Sequence, residues 1–401
     1  MKLISALRFA ALAICLLTAG ILFSQQLQHE VKVVNIEIST RVFKGDAFID
    51  NLTLNDFEVL DDGKPQQIEA VYLIKKTDIK REEGKIGIAP LVAREFVLFF
   101  EMMEYLPEID NVLDYFFDKV ILPGDAVIVI TPMNTYNMRS DALAKLSTAT
   151  LKGQLRGKLR KDILMGSSEY TKTIDDLYMT LADDSALDEK LQLYSLYLAK
   201  LESLRRVNEK GLFQFADFLK SMPGQKYVYM FYQKESIPQY NPKLLMQLET
   251  ANQDDVALTF QIMEKFSLFS REIGFNVDAV KKAYSDSSIA IHFLFLTKTP
   301  AVRNPVSIRQ SSAAPSQIVM VERSEDIFSA FNQVAQATGG ISESSANARS
   351  SFQRAVDASE NYYLIYYKPQ DYKADGKFHE VKIKVKTGNY AVLHRAGYFA
   401  N

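Results

Sequence analysis

The sequence has few of the residues that usually announce a chemistry. A single cysteine, Cys15, occurs in 401 residues, so an intramolecular disulfide and a cysteine-based metal site are both excluded. The four histidines, His29, His292, His379 and His394, stand apart, and none has a second His or Cys at ligand spacing. His292 interrupts an apolar run and reads as a hydrogen-bonded core histidine. No serine has a nucleophile-elbow context, and Gly339-Gly340 is not followed by Lys-Ser/Thr, which makes it a helix-ending turn and not a phosphate loop. Asp175-Asp176, Asp183-Asp184 and Asp254-Asp255 lack the glycine and spacing of a calcium loop. With a net charge of -2 there is no basic field for nucleic acid. The Lys152–Lys161 cluster reads as one solvated helix face.

Long hydrophobic runs are equally scarce. The one at the start, Phe9–Phe23, is flanked by Lys2 and Arg8, is too short to span a bilayer, and gives way to Ser24-Gln25-Gln26. Residues 1–24 are therefore expected to be a signal peptide cleaved near Ser24, with an uncleaved anchor as the alternative, and the rest exported to the periplasm or secreted with no membrane contact after cleavage. Ile21 stands where a lipid-anchoring signal would carry Cys. The remainder, within a chain 47% hydrophobic and 24% charged, is globular and long enough for two or three domains.

Val31–Phe43 alternates as a half-buried strand with a change of phase near Val33-Val34. Asp61-Asp62-Gly63-Lys64-Pro65 is a turn between apolar segments, so residues 26–76 form a small β unit containing a hairpin. The polar stretch 77–93 is expected to be a linker. From Arg94 the pattern changes. Phe96–Phe100, Ala126–Thr131, Tyr227–Tyr232, Ile289–Leu296 and Tyr362–Tyr367 are short continuous apolar runs, the mark of buried strands. Amphipathic helices intervene: Val112/Leu113, Phe116/Phe117 and Val120/Ile121 repeat every four residues until Pro123-Gly124. These alternations predict an α/β domain over 94–368, doubly wound on a mostly parallel sheet. No strand is expected between Asn134 and Met222, where Leu187, Leu191, Tyr194, Leu198 and Leu201 line one helix side, and 142–219 reads as a helical insertion. Thr297–Ser324, with Pro300, Pro305 and Pro315, reads as a long loop. In Phe378–Lys386 Val381, Ile383 and Val385 alternate with lysines, and residues 369–401 should pack with 26–76 as a small β-sandwich-like domain.

Several of these segments, in order, resemble the von Willebrand factor type A-related exported proteins of acidobacteria and similar bacteria. The matching stretches are Val34–Val42, Leu54-Asn55-Asp56-Phe57-Glu58-Val59, Asp62-Gly63-Lys64-Pro65-Gln66, Phe96–Glu101, Ala337-Thr338-Gly339-Gly340, Tyr362–Pro369, Asp375-Gly376-Lys377-Phe378 and Gly397-Tyr398-Phe399. The resemblance implies a type A fold and a cation site built on Asp-x-Ser-x-Ser at the end of the first buried strand. Here those positions are Glu101, Met103 and Tyr105. A thioether is a poor ligand for Mg²⁺, and a tyrosine does not replace a small hydroxyl. A later strand ends in Tyr232-Gln233-Lys234-Glu235, with Lys234 bringing a positive charge to the place of a cation. The expectation is a non-enzymatic, exported protein–protein interaction or adhesion module that binds another protein without a cofactor. The alternatives are adhesion through Mg²⁺ held by Glu101 with Glu104 or Glu235, and a hydrolase using the same acids.

Overall fold

The computed structural model describes residues 35–84, 90–267, 273–286, 288–297 and 317–400. The expected signal peptide, the start of the Val31–Phe43 strand and most of the 297–324 connection lie outside the described residues. No described helix is long and apolar enough to cross a membrane.

The alternation after Asn35 folds as β1 (Ile36–Lys44), which buries Ile36, Ile38 and Val42. A short β2 (Ala47–Phe48) follows, then β3 (Phe57–Asp61) and β4 (Lys64–Gln66). These last two are joined through Asp62 and Gly63, whose φ angles of 46° and 77° give the primed turn that closes a hairpin. β5 (Ile68–Lys75) pairs with β6 (Asp78–Gly84), so the stretch expected as a linker opens with a strand. The charges of β6 face water at a sheet edge, where they discourage further pairing and hide the strand from hydropathy.

Next come β7 (Arg94–Glu101), β8 (Ala126–Ile130) and β9 (Thr135–Met138), the last a strand within the stretch expected to contain none. Five helices occupy Ser140–Lys145, Thr148–Gly166, Ser168–Ala182, Leu187–Arg205 and Glu209–Ser221. The chain continues through β10 (Gln225–Gln233), β11 (Ser236–Tyr240), β12 (Ile289–Leu296), β13 (Ile318–Glu322) and β14 (Ser342–Ser345). It ends with β15 (Asn361–Tyr367), β16 (Phe378–Val385), β17 (Ala391–His394) and β18 (Gly397–Phe399).

These strands form four sheets: β17-β1-β15-β5-β6 with β2 beside β1, β14-β12-β10-β7-β8-β9, the ribbon β11-β13, and β18-β16-β3-β4. The expectation of a doubly wound, mostly parallel architecture is overturned. The protein is mixed α/β with mostly antiparallel sheets. Among the described residues only the sheet containing β7 is mixed, parallel from β14 to β8 and antiparallel at β9, and every other strand pairing is antiparallel. The physical reason lies in β15. Its continuous apolar run looks like a parallel strand, but it sits between β1 and β5 in an antiparallel sheet that is also buried.

β7 sends Phe96, Leu98 and Phe100 to one side, against the helices Glu108–Tyr115, Thr148–Gly166 and Ala348–Glu360. Val97 faces the other, against Glu209–Ser221, Val277–Ser285 and Glu325–Ala337. At its start the buried Arg94 forks onto Asp125, with Nε and Nη2 donating to the two carboxylate oxygens at 3.0 and 2.5 Å.

His292 lies fully buried in β12, stacked on Tyr229. Its Nδ1 accepts the Ile341 N–H at 3.3 Å, so Nε2–H donates to Ser359 Oγ at 2.8 Å, and that hydroxyl donates to Ala355 O. Burial, and secondarily the charge of Arg41, bring its pKa down to about 3. The unfolded chain binds this proton below about pH 6.5 while the native state refuses it. Stability from this site is therefore complete above that pH and falls as the pH drops toward 3, by up to about 1.4 kcal/mol per pH unit. Urea unfolding at pH 7, 5.5 and 4.5 should show His292→Gln less stable at neutral pH but with a shallower acid slope than the parent. Parallel slopes would show that the buried neutral imidazole is not the source.

Candidate functional site

β7 ends at Glu101 and β10 at Gln233, with Tyr232 paired to Glu101 in the parallel ladder. Above these ends lies a cleft of about 850 Å³. Its walls come from Met103–Tyr105 after β7, Gln233–Ser236 after β10, Thr297 after β12, the facing ends of the helices Thr148–Gly166 and Ser168–Ala182, and β13. Apolar side chains (Leu164, Ile174, Met320) alternate there with charges of both signs (Arg160, Lys172, Asp175, Glu322), and among the described residues no histidine or cysteine lines it.

Beside the cleft, two of the acids expected at a cation site converge on an arginine. Arg205, the last residue of the helix Leu187–Arg205, donates from Nη1 to Glu101 Oε1 at 2.7 Å and from Nε to Glu235 Oε1 at 3.1 Å. Its guanidinium lies 4.9 Å from the ring centre of Tyr232 and 5.7 Å from that of Tyr170, and the Tyr232 hydroxyl donates to Glu235 Oε1. The side chains of Arg205 and Glu235 are 8% and 5% exposed, against 36% for Glu101. Burial opposes the arginine's charge, but Tyr232, Glu235 and Glu101 outweigh it and hold the pKa well above the usual value.

The other expected positions are dispersed. Glu104 is turned onto Gln233: Nε2 of the glutamine donates to Glu104 Oε1 at 3.0 Å, while its Oε1 accepts the backbone N–H groups of Met103 and Glu104. The Met103 side chain is buried among the helices Ser168–Ala182 and Leu187–Arg205. The Tyr105 hydroxyl donates to Asp110 at 2.6 Å beneath the guanidinium of Arg160, and burial above all, reinforced by that carboxylate, raises its pKa. Lys234 pairs outward with Glu322 at 3.3 Å, so the cation between the acids is Arg205 and not Lys234.

Sequence reasoning missed Arg205, although a signal was present. The stripe Leu187, Leu191, Tyr194, Leu198, Leu201, buried from Leu191 onward, reaches position 205 at its next step of four, so a charged side chain continues an inward-facing row. Such a cation requires a buried partner.

Chemically, Glu101 and Glu235 share one fixed cation, and Glu104 is hydrogen-bonded to the Gln233 amide. Removing the arginine takes away the buried bridge between Arg205 and Glu235. Arg205→Met should destabilise the protein by about 3–5 kcal/mol at pH 7 in urea unfolding, and by less near pH 5, where Glu235 can take up a proton. A loss below about 1 kcal/mol, the range of an exposed pair, would contradict a buried bridge.

Comparisons with protein-family models, with curated proteins and with solved structures find no match to this chain.

Proposed function

We propose that the chain is an exported, non-enzymatic binding protein that takes a segment of another protein in the cleft above β7 and β10, without a metal ion. The observation that carries this reading is Arg205, which stands between Glu101 and Glu235 and pairs with both from within the fold. The cleft's mixture of apolar and oppositely charged side chains suits a peptide segment, whose backbone and side chains need both kinds of contact. The resemblance to type A-related exported proteins points to the same role, with the metal dependence removed.

The test is selection of displayed random peptides on the full chain in EDTA, followed by affinity measurements with and without Mg²⁺ or Mn²⁺. Affinities should be the same in both conditions. They should fall at least about tenfold, or about 1.4 kcal/mol, in Thr171→Trp, which narrows the cleft. Binding that needs the cation and is lost in Glu101→Ala would establish the metal-dependent alternative. Cleavage of the selected peptides, abolished by Glu104→Gln, would make the protein a hydrolase.

A further inference from the structure

A second cluster of charged side chains lies where the β3–β4 turn meets β16. Asp61 closes β3, Asp62 is the first turn residue, and His379 is the second residue of β16, more than three hundred positions along the chain. Asp61 Oδ1, Asp62 Oδ2 and a ring nitrogen of His379 offer ligand atoms that all lie within 4.8 Å of one another. Nδ1 of His379 is 2.9 Å from Asp62 Oδ2 and 3.9 Å from Asp61 Oδ1. A tetrahedral ion with bonds of about 2.0–2.2 Å sets its ligand atoms roughly 3.3–3.6 Å apart, between these two values.

The independent observation is that the second oxygen of each carboxylate is held by something else, while the far nitrogen of the imidazole faces a third carboxylate. Oδ2 of Asp61 accepts the hydroxyls of Tyr367 and Tyr398 at 2.9 and 3.0 Å, so a carboxylate only 6% exposed is fixed with its other oxygen toward the imidazole. Oδ1 of Asp62 accepts the Glu380 N–H at 2.9 Å. The His379 ring is stacked on Tyr398 at an interplanar angle of 16°, and its far nitrogen, Nε2, is 3.5 Å from Asp375 Oδ1. A carboxylate behind the imidazole and hydrogen bonds behind each ligand carboxylate are how metal sites fix their ligands. Among the described residues, no lysine or arginine is placed to neutralise Asp61 or Asp62, in contrast to the acids around Arg205.

We propose that Asp61, Asp62 and His379 bind a divalent transition-metal ion, of which Zn²⁺ best suits one imidazole and two carboxylates. His379 binds through Nδ1, Asp375 orients the ring through Nε2, and water completes the coordination on the exposed side of Asp62. The ion staples the hairpin turn to the carboxyl-terminal strands β16 and β18, and its binding energy adds to the stability of the folded state.

Zn²⁺ titrated calorimetrically into the full chain, previously dialysed against EDTA, should bind at one ion per chain. Asp62→Asn and His379→Gln should each abolish this binding, and Asp375→Asn should weaken it about 10–100-fold. Co²⁺ in place of Zn²⁺ should give the intense visible absorption of a four-coordinate ion, a readout that needs no variant and holds if a substitution prevents folding. The melting temperature should rise with Zn²⁺ in the parent and not in His379→Gln. Absence of one-to-one binding, survival of binding in both ligand variants, or only the weak six-coordinate Co²⁺ spectrum would overturn the proposal.

Discussion

The guanidinium of Arg205 is the interaction on which the strand ends beside the cleft depend. It joins three separate parts of the chain: the end of a long helix, the end of β7 through Glu101, and the loop after β10 through Glu235. A charge this deeply buried is tolerated only when paired with good geometry, and a planar fork that meets two carboxylates at once supplies it. The helix Leu187–Arg205 therefore cannot slide or rotate on the sheet without abandoning a desolvated charge. The cleft inherits its shape from that constraint, since Glu235 and Tyr170, which line it, also touch Arg205. An arginine is also a cation that does not exchange. A metal held by the same acids would come and go with its free concentration, whereas this cation is present whenever the chain is folded.

A second polar centre ties the antiparallel sheet of β1 to the mixed sheet of β10. Glu37 in β1 accepts from Gln225 and Ser288, which lie at or beside the starts of β10 and β12, and from Tyr366 in its own sheet, while its backbone carbonyl accepts from Arg395. Apolar packing supplies most of the stabilisation between layers, but it is nearly indifferent to small translations. Directional bonds from one carboxylate to both sheets are not. This is why the amino- and carboxyl-terminal strands hold a definite position against the middle of the chain.

Much of the local structure was legible in the sequence, and the reasons are specific. Asp62-Gly63 demanded a turn because both residues take positive φ, and Phe96–Phe100 demanded burial because no face of the run is polar. Topology was less legible because β7 and β15 read alike. Both are continuous apolar runs, yet one pairs in parallel and the other antiparallel, and nothing in their own residues records the neighbour. β6 and β9 escaped for the opposite reason: exposed edge strands need no apolar signature. At the cleft the acids were visible as Glu101, Glu104 and Glu235, but not which of them would meet. That depended on a helix register, and the register is written in the spacing from Leu187 to Arg205, not in the acids themselves.

The same limit applies to His379. Read alone it has no partner at ligand spacing, because its neighbours arrive from residues 61 and 62 through the β3–β16 ladder. The two charged clusters then differ in one physical respect. Around Arg205 the fold supplies its own permanent cation and surrounds it with aromatic rings, and the result is a closed, static bridge. Around Asp61 the fold supplies carboxylate acceptors, tyrosine hydroxyls donating to the far oxygen and an imidazole, with Asp62 open to water. Acids that share a built-in cation serve architecture, whereas acids that are pre-oriented and left open can exchange a counter-ion with the surroundings. On that distinction, an ion in this protein belongs at the hairpin that joins its two ends and not at the strand ends where the sequence first drew attention to acids.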